Sequence, residues 1–300
     1  MDRLEAMGAF VAVVETGSFS AAAKRLRAPL ATVSRRVAEL ERHLRVQLLA
    51  RSTRKLALTD AGVQYLRTCQ RVLEDINEAE RLASGEYIAP KGNLVVSAPV
   101  VFGKLHLMPV LLEFLHVYPD IDVELRLIEV AVDLIEQHID VALRIGELED
   151  SSLLALRVGD IRHVVCASPD YLATRALPLR PSDLAGHDCV TLTPLHAPTV
   201  WEFSTDGDVK RVSVHSRLAV SNAEAAVAAA AARLGLTRVL CYQAADAIRD
   251  QALVLVMREH EPPIMPVQFV YSANRQMPTK LRAFLDFVGP RLKERIIFDP

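Results

Sequence analysis

Leu30-Ala31-Thr32-Val33-Ser34-Arg35-Arg36-Val37-Ala38-Glu39-Leu40-Glu41-Arg42-His43-Leu44 is the stretch from which the rest of the chain can be worked out. Val33, Val37, Leu40 and Leu44 recur at the three- and four-residue spacing of one helical face, so the segment predicts a helix that buries that stripe. Burying it turns Leu30, Ala31, Ser34, Arg35 and Ala38 outward. That outer face is small-sided and carries one arginine, which suits a close approach to a major-groove floor and a bidentate bond to guanine O6 and N7. Arg36 and Arg42 flank the face as candidate phosphate contacts, and Thr32 is counted with the DNA-contacting set.

Upstream, Leu4, Met7, Val11 and Val14 follow helical spacing, and Gly17-Ser18 supplies a stop and a fresh N-cap. A second helix, about Phe19 to Leu26, places Ala22 and Ala23 where helices can cross closely. Ser18 or Ser20 can offer hydroxyl and backbone N–H groups to a phosphate. Downstream, Gln47 to Arg51 and Lys55 to Thr59 read as two short strands joined by Ser52-Thr53-Arg54. This basic hairpin is suited to lie over a DNA backbone or enter a minor groove, with Arg51, Arg54 and Lys55 as its cations. The charge distribution agrees. Residues 1 to 65 hold eleven Lys/Arg against six Asp/Glu, whereas the whole chain has a formal net charge of −2. A basic block in a mildly acidic protein is what a polyanion-binding module looks like.

Four segments in order, Phe10-Val11-Ala12-Val13-Val14-Glu15, Gly17-Ser18-Phe19-Ser20-Ala21-Ala22-Ala23, Ala31-Thr32-Val33-Ser34-Arg35-Arg36 and Leu58-Thr59-Asp60-Ala61-Gly62, resemble the LysR-type transcriptional regulators. The resemblance implies a winged helix-turn-helix in which Leu30, Ala31, Ser34 and Arg35 read bases, Arg54 sits in the wing, and Ser20 and Thr59 lie near phosphates. The sequence departs from the family pattern at Pro29, where serine usually caps the recognition helix, and at Leu30, where proline or glutamine is common.

From Thr59 to about Ala83 there is no proline, and Leu66, Cys69, Leu73, Ile76 and Ala83 form an apolar seam. Such a seam meets either another helix or its own domain. In the family the helix pairs with its copy from a second subunit. Ser84-Gly85 and Pro90-Lys91-Gly92 mark a hinge. Beyond it, strands and helices alternate: Leu94 to Ser97, a helix near Lys104 to His116, Ile121 to Ile128, a helix near Val132 to His138, and Val141 to Ile145. Arg162 to Ala167, a helix at Pro169 to Thr174, Cys189 to Thr193, a hairpin turned at Asp206-Gly207, an Ala-rich helix from Asn222 to Arg233 and Leu236 to Cys241 follow. That order predicts parallel sheets with covering helices, in two α/β halves.

Ser97-Ala98-Pro99-Val100-Val101-Phe102-Gly103, Tyr118-Pro119 and Asp140-Val141-Ala142-Leu143-Arg144-Ile145-Gly146 resemble the effector domain of the same family, which has a two-lobed periplasmic-binding-protein-like fold. The expected organisation is a DNA-binding domain at residues 1–60, a linker helix and hinge at 61–89, and an effector-binding domain at 90–300. Its lobe I would span about 93–162 and 266–300, and its lobe II about 163–265. Ser97, Val100, Phe102, Arg144, Thr193, Ser221 and Asn222 are the candidates to line the cleft between lobes and hold a small-molecule effector. Arg144 is equally readable as a bridge to Glu147 or a helix cap, Ser97 as a partner of strand backbone, and Phe102 and Trp201 as core. Arg233 and Gln251 stand where the family commonly has glycine.

With 51% apolar and 24% charged residues, the composition fits globular domains. Met1-Asp2-Arg3-Leu4-Glu5 lacks a basic lead into an apolar run, and no later segment reads as apolar for the length a bilayer needs, so a cytoplasmic protein with no membrane contact is expected. There is no Gly-x-Ser-x-Gly elbow, Gly-x-Gly-x-x-Gly loop, Walker lysine or His-Glu-x-x-His pair, so an enzyme is not expected, nor a metal or cofactor. Cys69, Cys166, Cys189 and Cys241 lack metal-site spacing and read as buried thiols, with a redox pair drawn from the last three left open. The expected partners are double-stranded DNA, a second and then a third and fourth copy of the chain, an effector, and RNA polymerase. The competing reading is a cytosolic solute-binding or sensor protein, against which the basic N-terminal module argues.

Overall fold

The computed structural model describes residues 2–51, 56–83, 89–130, 132–148, 152–192, 199–205, 208–273 and 277–296. The chain divides into two compact units, Met1–Gly92 and Asn93–Pro300.

In the first unit, helix α1 (Arg3–Thr16) starts where Asp2 accepts hydrogen bonds from the N–H groups of Leu4 and Glu5, and stops at Gly17, whose φ of 70° is the left-handed conformation glycine adopts freely. Helix α2 (Phe19–Arg25) is capped by the Ser18 hydroxyl, which accepts from Ala21 N at 3.1 Å. Helix α3 (Leu30–Leu44) buries Val33, Val37 and Leu40 completely against Phe10, Val13 and Ala22. Strands β1 (Leu49–Arg51) and β2 (Leu56–Leu58) pair antiparallel, Leu49 opposite Leu58 and Arg51 opposite Leu56. Helix α4 (Asp60–Ala83) follows. Its first half packs on its own module through Tyr65, Leu66 and the fully buried Cys69. Leu73 and Ile76 in its second half remain partly exposed. Gly62 is required by packing, because a Cβ there would stand 2.0 Å from the Leu48 carbonyl oxygen.

The second unit holds two five-stranded sheets among its described residues. In the first, the strands run spatially Ile121–Leu127, Gly92–Ala98, Val141–Ile145, Met265–Ser272, Leu153–Ile161. In the second, the order is His215–Val220, Asp188–Leu192, Leu236–Leu240, His163–Ala167, Val254–Val256. Neither sheet is wholly parallel, which corrects the sequence reading. Gly92–Ala98 runs parallel to Val141–Ile145, but Met265–Ser272 is antiparallel to both its neighbours. His163–Ala167 is antiparallel to Leu236–Leu240 and to Val254–Val256. The chain leaves the first sheet after Ile161, enters the second at His163, and returns between Val256 and Met265. Each passage delivers a strand running opposite to the parallel set.

Val132 to His138, expected as a helix, is a single turn. Asp133 Oδ1 accepts from Ile135 N and Glu136 N, and His138 ends it at φ 53°. The long helical run Val100–Val117 contains a wide turn over Gly103–Leu107. Pro109 explains it, because a proline has no N–H for the carbonyl of Leu105 and its ring crowds that carbonyl, so the preceding turn widens. By length and composition this run could cross a bilayer, contrary to the sequence expectation. It is nevertheless a core helix: Phe102, Leu107, Val110, Leu111 and Phe114 are buried in the largest apolar cluster. Phe114 meets Phe284 edge-on at 5.5 Å, and Phe284 meets Phe269 at 5.4 Å, fixing the helix Thr279–Arg295 to the first sheet. The same cluster continues into the second lobe. Phe102 meets Tyr242 at 5.2 Å and 89°, so the two lobes share one apolar core beneath their junction.

Candidate functional site

The outward face of α3 is assembled as its periodicity requires. Leu30, Ala31 and Arg35 are exposed and Ser34 and Thr32 half-exposed, while Val33 and Val37 are sealed inside. Arg35 forms no ion pair or hydrogen bond among the described residues, which leaves its guanidinium available to a base edge. Arg36 is placed differently from the expectation. Its guanidinium is held by Glu5 of α1, so it ties the recognition helix to its support before it can serve a phosphate. Arg25 is likewise paired with Glu15 at 2.6 Å.

Thr59 is also committed internally. Its hydroxyl donates to the Gln47 carbonyl at 2.7 Å and accepts from Gly62 N at 3.0 Å, capping α4 and closing the hairpin. Ser18 has the corresponding capping duty on α2, and Ser20, exposed in the first turn of that helix, has none. Glu41 was not singled out in the sequence. Its Oε1 accepts from Leu48 N at 2.9 Å and Leu49 N at 3.1 Å, hanging the wing from α3. The signal was there, since Glu41 is one of two acids among ten bases between Lys24 and Lys55. Arg54 and Lys55 lie outside the described residues, as does the side chain of Arg51.

In the second unit, Ser97 is the penultimate residue of the strand Gly92–Ala98 and Asn222 precedes the helix Ala223–Ala231, whose first turn it caps by accepting from Ala225 N at 3.1 Å. The helices that follow Ser97 and Asn222 come within ion-pair reach across the lobes, Lys104 Nζ to Glu224 Oε1 at 3.3 Å. Ser97 is 1% exposed, and its hydroxyl has no hydrogen-bond partner among the described residues, not even strand backbone. Val100 is half-buried and Ser221 exposed. Arg144 makes no ion pair with Glu147; it donates to the Val132 carbonyl at 2.8 Å, and burial lowers its pKa. Phe102 is fully buried between His106 and Tyr242, so its ring is core and not cleft lining. Trp201 is buried in a separate cluster of the second lobe. Thr193 lies outside the described residues.

The four cysteines are buried. Cys166 and Cys189 lie on strands separated by Leu236–Leu240 and point into different cores. Strands two apart stand roughly 9.6 Å from each other, beyond disulfide reach. Cys241 lies opposite Arg162, four residues along the strand from Cys166 or about 13 Å. Burial pushes the thiols of Cys166 and Cys189 up to about 12. Cys189 and Cys241 also lie in different apolar clusters and all four thiols are free, so the redox pair left open by the sequence is not assembled in this structure. Among the described residues, no group of three or more His, Cys, Asp or Glu is arranged to hold a metal ion.

A winged helix-turn-helix with an unengaged arginine on its outer face, joined to a two-sheet domain with helix starts converging at its lobe junction, defines a DNA-binding regulator with a ligand-binding domain. The family model "Bacterial regulatory helix-turn-helix protein, lysR family" matches residues 4–63, and "LysR substrate binding domain" matches residues 89–293. The chain belongs to the LysR-type transcriptional regulators. It is 36% identical over 293 residues to the HTH-type transcriptional regulator CrgA of Neisseria meningitidis serogroup B, covering 96% of each chain. It is 32% identical over 292 residues to the probable regulator LtrA of Klebsiella pneumoniae, covering 96% of this chain and 94% of that one. Among solved structures, CrgA of Neisseria meningitidis superposes with a TM-score of 0.61 at 34% identity, over 96% of this chain and 98% of that one. The full-length virulence activator AphB of Vibrio cholerae gives 0.60 at 31%, over 95% and 98%. These likenesses favour the regulator over a solute-binding protein.

Proposed function

We propose that the protein reads double-stranded DNA through the outward face of α3. Arg35 is the hydrogen-bonding reader, Ala31 and Ser34 are the small side chains that let the helix approach base edges, and Ser20, Arg51, Arg54 and Lys55 serve the backbone. The observation that carries this reading is that Arg35 is exposed and unengaged on a helix whose opposite stripe is sealed. Two modules are held together by pairing of α4, whose Leu73 and Ile76 are still partly open. Effector domains associate further into a tetramer, a step supported by the exposure of Leu112 and Val117 on the outer side of a core helix. A small molecule bound where Ser97, Ser221 and Asn222 lie would complete the hydrogen bonding of the buried Ser97 hydroxyl and shift the equilibrium between assembly geometries in proportion to its preference for one of them. The protein works in the cytoplasm, acts on transcription with RNA polymerase and performs no catalysis.

The reading is tested on duplexes carrying a selected site and on random duplexes of equal length. Arg35→Ala should weaken the selected site by about 1–3 kcal/mol and leave random-duplex binding nearly unchanged. Lys55→Ala should weaken both and reduce the salt slope by about one. Equal losses on both duplexes for Arg35→Ala would remove α3 as the reader.

A further inference from the structure

Val130, Ile135 and Leu179, at 71%, 68% and 66%, are the three most exposed of the large apolar side chains among the described residues. They fall in two places, neither covered by its own chain. Val130 and Ile135 stand on the turn between strands Ile121–Leu127 and Val141–Ile145 of the first lobe. Leu179, together with the exposed Leu177, stands on the loop between the helix Pro169–Ala173 and the turn Pro181–Gly186 of the second lobe. Both backbones are braced. In the first place Leu134 and Ile139 are buried, Asp133 accepts from Ile135 N and Glu136 N, and Arg126 and Arg144 donate to the carbonyls of Gln137 and Val132. In the second, Pro178 is buried between the two leucines, and Asp183 Oδ2 accepts from Leu179 N and Arg180 N, both at 2.9 Å. Apolar side chains are thus held out in water on fixed supports, which lowers the ordering cost of a contact.

The surroundings of the two places differ in sign. From Leu127 to Leu143 there is no Lys or Arg, and Glu129, Asp133 and Glu136 are exposed. Between Asp170 and Asp183 there is no acid, and Arg175 and Arg180 are exposed. Glu136 and Arg180 form no ion pair among the described residues. We infer that the acidic turn of one copy of the chain docks on the basic loop of another, with Val130 and Ile135 packed on Leu177 and Leu179 and Glu136 facing Arg180. A second copy is the occupant because it carries both halves of the contact, an apolar centre and charges of opposite sign. Two turns would repel each other, as would two loops, so only the turn-to-loop pairing forms. This contact rests on the tetramer proposed above and joins copies that α4 does not pair.

The test follows the dimer–tetramer equilibrium of the full-length protein by sedimentation velocity, with the melting temperature as the check on folding. Arg180→Glu and Glu136→Arg should each raise the dissociation constant about tenfold, because each sets like charges against one another across the contact. The double variant Arg180→Glu/Glu136→Arg should return to within about threefold of the wild type. A loop distorted by Arg180→Glu cannot be repaired from the other lobe, so this recovery reports the contact itself. Leu179→Ser should weaken the tetramer about tenfold while keeping its dependence on salt. A tetramer that neither Leu179→Ser nor the charge reversals weaken, or a loss that the double reversal does not recover, overturns the contact and leaves the tetramer standing. A wild-type protein that stays dimeric at every concentration overturns both.

Discussion

On α3 the residues that hold the fold and those that face outward are different residues: Val33, Val37 and Leu40 are sealed, while Ala31 and Arg35 are free. Where strand Gly92–Ala98 runs into the helix Val100–Val117, the two sets overlap. Ser97 is buried in the sheet, Phe102 fills the inter-lobe core, Arg144 is bound to the Val132 carbonyl, and Asn222 caps a helix. A DNA-reading surface needs only to project from a finished module. A small-molecule site must be enclosed, so its lining is also the structure's own framework. Substitutions should therefore separate binding from stability in the first region and fail to do so in the second.

The largest effect is expected at Phe102. Phe102→Ala should destabilise the second unit by about 3–5 kcal/mol, because a fully buried ring leaves a cavity next to His106 and Tyr242. Calorimetry of the full chain would show the corresponding transition moving down. A loss below about 1 kcal/mol would mean that the lobes do not share a rigid core.

A second effect comes from acid. His163 is held at about 4 by burial and by the nearby Arg238, below its unfolded value of 6.5. The folded state therefore binds fewer protons than the unfolded state between these values, and stability contributed by the neutral ring is intact above pH 6.5 and lost as pH falls toward 4. His106 is likewise held at about 4 by burial, so acid sensitivity is shared; on going from pH 7 to pH 4.5 the wild type should lose about 2 kcal/mol more than His163→Gln does, compared through their denaturation midpoints. Parallel pH profiles for the two proteins would contradict this.

Thr59→Ala sharpens the comparison within the first unit. Losing a cap and the bond to Gln47 should cost about 1 kcal/mol of stability, with DNA affinity unchanged at a temperature where the variant is fully folded. Weaker binding to selected and random duplexes alike under those conditions would restore Thr59 to the phosphate contacts. The smallest effect is a gain. Gln251 sits at φ 58°, where a side chain is strained, and Gln251→Gly should stabilise the second unit by about 0.5–1 kcal/mol. Arg233, at φ 69°, should gain less on the same change because it also pairs with Asp170 at 2.6 Å.

The first unit was legible because its signals are local: a stripe at helical spacing, Gly17 at a helix end, Ser18 at a helix start. What was missed there is non-local, such as the hold of Glu5 on Arg36 across 31 residues. In the second unit, strand Leu153–Ile161 was overlooked. It is an edge strand whose run Leu154 to Arg157 is exposed throughout, so it shows no two-residue alternation. The return strand Met265–Ser272 and its antiparallel pairing were not foreseeable from spacing, because register depends on two passages of chain between the sheets. The cleft candidates were ambiguous for a related reason: serine and asparagine at strand and helix ends serve as caps or ligand contacts with the same atoms.

The most direct test measures melting temperature and selected-site affinity on one preparation of Arg35→Ala. Discrimination between selected and random duplexes should fall about tenfold or more while the melting temperature stays within about 1 °C of wild type. Unchanged discrimination, or a loss of binding matched by a loss of stability, would show that the outward face of α3 is not where this protein reads DNA.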